Sequence, residues 1–119
     1  MAASPPNIVV LLADDLGYGD LASWGHPTSD SPNLDALTHA GVRFTSMYSS
    51  SPVCSPSRAG FMTGRSPARF SIHTALNKDW AQNAKQGQAN FLPPATPTVT
   101  SLLREAGYRT GHFGIATRR

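Results

Sequence analysis

Asn7-Ile8-Val9-Val10-Leu11-Leu12-Ala13 holds a continuous apolar run rich in β-branched side chains, and it begins directly after Pro5-Pro6. A short apolar run without alternation reads as a strand buried on both faces, the pattern of a parallel sheet. It decides the fold class: α/β, with a partial, mainly parallel sheet and flanking helices. The polar stretch Asp14-Asp15-Leu16-Gly17-Tyr18-Gly19-Asp20 follows at once. Ligands of open α/β sheets bind beyond the carboxyl ends of the strands, so a polar cluster there is a candidate site. Two adjacent carboxylates repel one another unless a cation compensates, and oxygen-only donors suit calcium or magnesium. A second reading stays open, in which the stretch is a solvated turn and Asp15 caps a short helix.

Working outward, Asp30-Ser31-Pro32-Asn33-Leu34-Asp35-Ala36-Leu37-Thr38-His39-Ala40-Gly41 has a cap, a proline in the first turn, apolar residues three apart and a closing glycine. It predicts a short amphipathic helix. Val42-Arg43-Phe44-Thr45-Ser46-Met47-Tyr48 alternates as a strand, with Arg43, Thr45 and Met47 on one face. Strand, helical crossover and strand imply parallel neighbours. Further on, residues 77–90 read as a surface loop or a weak polar helix. Thr96 as cap, Pro97 at the first position and Gly107 as stop predict another helix, with a strand over 108–113. No repeat or interdomain linker is present. His26 and His39 have no partner at metal-ligand spacing and read as surface or packing residues.

Composition narrows the function classes. The chain has 119 residues, about one small domain, with a formal net charge of +3, ten prolines and ten glycines. The arginines are scattered, with no basic stripe and interleaved aromatics, so no nucleic-acid partner is expected. A single cysteine excludes an internal disulfide framework. The opening residues lack the basic and apolar regions of a signal peptide, and no apolar run is long enough to span a bilayer. Either a mature sequence or a protein that stays inside is the expectation, and no membrane partner.

That cysteine stands in Cys54-Ser55-Pro56-Ser57-Arg58-Ala59-Gly60-Phe61-Met62-Thr63-Gly64-Arg65. Ser55 is a good N-cap and Pro56 suits the first helical position, which places Cys54 just outside a helix N-terminus. Free amides and the helix dipole favour negative charge there, and Arg58 adds a fixed cation one turn on. Cys54 is thus a candidate nucleophile beside an oxyanion site, with Arg58 as its catalytic partner. A cysteine phosphatase is set aside, since three residues rather than five separate Cys54 from Arg58. A cysteine-protease or acyltransferase reading requires His73 or His112 as base.

The Cys54-x-Pro56-Ser57-Arg58 element, followed by Met62-Thr63-Gly64-Arg65, resembles the signature of the type I sulfatases. Pro6-Asn7-Ile8, Ala13 to Asp20, Ser31-Pro32-Asn33-Leu34-Asp35 and Gly41-Val42-Arg43-Phe44 resemble the opening of an arylsulfatase in the same order. The resemblance runs from about Pro5 to Gly114 and thins between Phe70 and Pro94. It implies the N-terminal part of an alkaline-phosphatase-like fold. It also implies that Cys54 is oxidised to formylglycine by a formylglycine-generating or equivalent maturation enzyme. The hydrated aldehyde would attack the sulfur of a sulfate ester with one hydroxyl as the alcohol leaves, and deprotonation of the second would expel sulfate and restore the aldehyde. Arg58 would hold the diol, and Asp14, Asp15 and the modified Cys54 would ligate a calcium ion. The substrate would be a small-molecule sulfate ester or a sulfated sugar.

The pattern departs at its end. The family continues into Gly-Lys-Trp-His-Leu-Gly, whose lysine and histidine contact sulfate, whereas this chain reads Gly114-Ile115-Ala116-Thr117-Arg118-Arg119. Residues 1–119 are therefore expected to be a truncated N-terminal part of a sulfatase catalytic domain with an aberrant tail at about 115–119, inactive alone. A phosphonate or phosphate monoester hydrolase is the enzymatic alternative. A non-catalytic fragment that binds anions or a protein is the alternative from another class.

Overall fold

The computed structural model describes residues 4–114, so the expected aberrant tail at 115–119 lies outside the described residues. The chain divides into two compact units, Met1–Ser46 and Met47–Arg119. Four α-helices are present among the described residues: α1 (Pro32–Ala40), α2 (Cys54–Thr63), α3 (Trp80–Lys85) and α4 (Val99–Glu105). Short 3-10 turns cover Ala22–Trp24 and Pro67–Phe70.

No strand occurs among the described residues, so the sheet expected over 7–13, 42–48 and 108–113 is not confirmed. The run that reads as a doubly buried strand is open instead, with Val9 80% and Leu11 75% exposed. A strand is stabilised by its ladder and by packing on its faces, and these segments meet neither requirement here. Arg43, expected on one face of a strand, donates from Nη1 to the Ser23 carbonyl at 2.6 Å and lies over the Trp24 ring, 5.0 Å from its centre.

The first unit is held by a polar clamp between its 3-10 turn and α1. The Ser31 hydroxyl accepts the Ala22 N–H at 3.2 Å and donates to Asp35 Oδ2 at 3.0 Å. Asp35 Oδ1 accepts the Ser23 N–H at 2.9 Å. The Asp35 carboxyl is held below its ordinary value of 3.8 by the neighbouring Ser23 side chain, whose hydroxyl makes no geometric hydrogen bond, by the Ser23 N–H, then by the Ser31 hydroxyl and the charge of His39. Helix α1 forms where the caps and spacing predict, although its apolar Leu37 stays exposed.

In the second unit α2 packs against the Pro67–Phe70 turn and against α4. Its buried residues include Pro56, Ala59 and Gly60, beside Ile72 at 1% exposure. Gly60 is required by a close approach, because a Cβ there would overlap the Ser50 side chain, 2.6 Å from its Cβ. Gly64 ends α2 in the left-handed region at φ 64°, where its N–H donates to the Gly60 carbonyl at 2.8 Å. Helix α4 starts two residues later than the sequence predicts. Thr98, not Thr96, is the cap, and it forms a reciprocal box in which Ser101 N–H donates to Thr98 Oγ1 and Thr98 N–H to Ser101 Oγ. The weak polar helix read within 77–90 is α3, capped by Asp79, which accepts the Ala81 N–H at 2.9 Å.

Candidate active site

Cys54 is the first residue of α2 rather than lying just outside its N-terminus, and its side chain is exposed. Val53, in extended conformation, takes the cap position without a side-chain bond, and its carbonyl accepts the first helical N–H, that of Ser57, at 3.0 Å. The amides of Cys54 and Ser55 therefore have no acceptor within the helix, and Pro56 has no N–H to leave unpaired. The electropositive end of α2 thus coincides with the cysteine itself. Ser55 is not the cap that the sequence suggests. Its buried hydroxyl turns away to accept the Leu76 N–H at 3.0 Å, so a tertiary bond takes the oxygen that a local cap would have used.

Arg58 is four residues beyond Cys54, which puts both on the same side of the helix one turn apart, and its side chain is half-buried. A small cleft on this helix is lined by Ser55, Arg58, Met62, Ile72, Leu76 and Leu92. It sets one cation among mainly apolar walls, where an anionic group is less screened by water than on open surface. An electrophile held at the start of α2 would meet an exposed sulfur and unpaired amides, with a guanidinium one turn along.

Asp14 and Asp15 belong to the first unit, Cys54 and Arg58 to the second. Asp15 does not cap a helix. It sits in the left-handed region at φ 58°, ahead of a turn closed by the Gly17 N–H donating to Asp20 Oδ2 at 2.6 Å. A Cβ at Gly17 would come within 2.8 Å of that carboxylate oxygen, so a larger residue there would displace the Asp20 side chain. Among the described residues no three His, Cys, Asp or Glu side chains are grouped so as to hold a metal ion. Two aspartates are the right donor chemistry for calcium and too few for its six to eight oxygens. His26 is half-buried and its Nδ1 accepts the Thr28 N–H at 3.3 Å, a local packing role, while His39 and His73 are exposed.

Sequence reasoning missed Asn83 and Gln88, which are buried at 0% and 6% exposure and hold the segment that bonds Ser55. Their only advance signal was the density of carboxamides between Asn77 and Asn90.

A family model described as Sulfatase matches residues 6–118. Arylsulfatase A of Bos taurus is 44% identical over 119 residues, a match covering 96% of this chain and 22% of the relative. Arylsulfatase A of Homo sapiens is 45% identical over 112 residues, with 94% and 21% covered. N-acetylgalactosamine-6-sulfatase of Canis lupus familiaris is 45% identical over 109 residues, with 90% and 20% covered. The chain spans about a fifth of the length of these curated relatives.

Proposed function

The chain belongs to the sulfatase family, and from that membership we propose that it carries the nucleophile-bearing part of a sulfate ester hydrolase, with Cys54 and Arg58 as its catalytic residues. The carrying observation is the start of α2, where an exposed Cys54 is the first helical residue and Arg58 follows one turn later. Oxidised to formylglycine by a maturation enzyme and hydrated, Cys54 supplies one hydroxyl that attacks sulfur and displaces the alcohol, and a second hydroxyl, which an intact thiol lacks, whose deprotonation expels sulfate and restores the aldehyde. The amides of Cys54 and Ser55 and the dipole of α2 favour anionic oxygen at this point. Arg58 holds the diol and helps to carry the negative charge that develops on oxygen.

Asp14, Asp15 and the modified Cys54 are the residues that would hold a calcium ion in the whole enzyme, and the ion would supply Lewis-acid polarisation of the ester. Two carboxylates leave most of the shell to other groups, so the chain alone binds calcium weakly and is inactive alone. The relatives' names point to aryl sulfates and to a sulfated amino sugar, and a small sulfate ester or sulfated sugar is the substrate class proposed for the whole enzyme.

The test is a chimera in which this chain replaces the matching segment of an arylsulfatase A, produced together with a maturation enzyme. Turnover of a chromogenic aryl sulfate, lost on Cys54→Ala, is expected. A folded chimera with converted Cys54 that cleaves no sulfate ester overturns the reading. An intact thiol in the Cys54 peptide of an active chimera, seen by mass spectrometry, overturns the formylglycine step. Turnover by the 119-residue chain alone, abolished by Cys54→Ala, overturns the expectation of inactivity.

A further inference from the structure

Asn83 is fully buried and uses its whole hydrogen-bonding capacity. Its Oδ1 accepts the Asn77 N–H at 2.8 Å and Gln88 Nε2 at 3.2 Å, while its Nδ2 donates to the Asn77 carbonyl at 3.0 Å and to Asn90 Oδ1 at 2.9 Å. Gln88 Oε1 in turn accepts the Thr74 N–H at 3.2 Å, and the Ala89 N–H donates to the Ser71 carbonyl at 2.7 Å. Residues 71–77 are therefore a strap tied to residues 83–90 along one side. On the other side Ile72 is buried at 1% exposure, and the Leu76 N–H reaches Ser55 Oγ at 3.0 Å. Ser55 is the residue after Cys54.

We propose that Asn83 is a positioning residue for Cys54, acting through the strap 71–77 and its hydrogen bond to Ser55. An uncapped helix start frays readily, and Val53 supplies no side-chain cap to α2. The bond to the second helical residue then helps to hold the first turn, beside the buried Pro56 and the Ser50 hydroxyl, which donates to the Pro56 and Ser57 carbonyls. A carboxamide satisfied at four points in a buried site has one geometry open to it, so the strap inherits a fixed position and passes it to Ser55. The inference rests on Cys54 being the reacting residue, as read above. Its test measures the unmodified chain, so missing sulfatase activity and a failed latch are separate results.

The experiment follows amide exchange and the Cys54 resonances by NMR in the isotopically labelled 119-residue chain. Asn83→Asp keeps the side-chain shape and replaces the Nδ2 donor with an oxygen facing two acceptors. It should speed exchange at Leu76 and Ser57 by about five-fold or more, the factor expected for losing one typical hydrogen bond, and displace the Cys54 resonances. Exchange in α4 should stay unchanged. Ser55→Ala should displace Cys54 in the same direction, Ser55→Thr should restore it, and the Asn83→Asp/Ser55→Ala pair should add nothing further. Should Asn83→Asp melt the whole unit, Asn90→Ala, which removes one of the four partners, takes its place with the same expected shift. Three results overturn the proposal: Ser55→Ala leaving Cys54 and Ser57 as in the parent chain, the remote variant loosening Leu76 without moving Cys54, or a parent Leu76 amide that exchanges at the unfolded rate.

Discussion

The two units differ in how their side chains find partners. Among the described residues of Met1–Ser46 none is buried, and Ile8 to Leu12 all stay more than half exposed. In Met47–Arg119 the buried residues gather around α2, and several are polar: Ser55, Asn83 and Gln88. The first unit invests its apolar residues in runs of strand character, which gain nothing until other strands and helices cover both faces. The second places carboxamides, hydroxyls and caps a few to about twenty residues from their partners, so local chain closure is enough to satisfy them. The chain spans about a fifth of its relatives' length.

This contrast can be broken most directly at Asn83. Asn83→Ala strands the groups that bond it and should cost about 3 kcal/mol in a urea melt of the second unit, by the penalty for buried unpaired polar groups. A near-zero cost would mean that the polar core does not hold. Gly60→Ala sets a helix-propensity gain of about 1 kcal/mol against overlap with Ser50, and overpacking should win with a net loss of about 1–2 kcal/mol. A stabilised variant would show that residue 50 moves freely away from α2. Thr98→Ala removes the reciprocal cap of α4 and should lower stability by about 1 kcal/mol, with Thr98→Ser recovering most of it.

The first unit is expected to respond less. A carboxyl whose folded pKa is depressed adds stability above its unfolded pKa and loses it as pH falls through the folded one. The Asp35 clamp should therefore begin to weaken as pH falls to 3.8 and be lost below that, read from the Trp24 indole signal, and Asp35→Asn should flatten this response. A clamp that instead fails near neutral pH would assign the transition to another group. Smallest of all, Leu11→Lys should shift the melt by no more than about 0.5 kcal/mol, since the side chain is 75% exposed. A loss above about 2 kcal/mol would show that the run is buried after all and would erase the difference between the units.

The chemistry of the site was legible to different depths. Cys54 and Arg58 could be picked out because a proline in the first turn and a glycine stop mark a helix whatever surrounds it, and helical spacing fixes residues four apart on one side. Its start lies two positions earlier than the sequence suggests, because Ser55 has the ideal chemistry of a cap and the sequence gives no sign that Leu76 claims its hydroxyl. Asp14 and Asp15 were legible as donors but not as a site, since a calcium shell is assembled from residues distant in sequence.

What the sequence determined by itself is therefore whatever a few consecutive residues settle: the helices α1 and α2, their glycine ends, the family motif around Cys54. Only the tertiary structure decided that Ser55 is a tether rather than a cap, that Asn83 and Gln88 form the buried polar centre, and that the apolar run at 7–13 finds no ladder within the described residues. The reason is range. Helix and cap energies depend on neighbours within a turn or so, whereas burial, strand pairing and the sharing of one hydroxyl between two claimants depend on which distant segments arrive beside them.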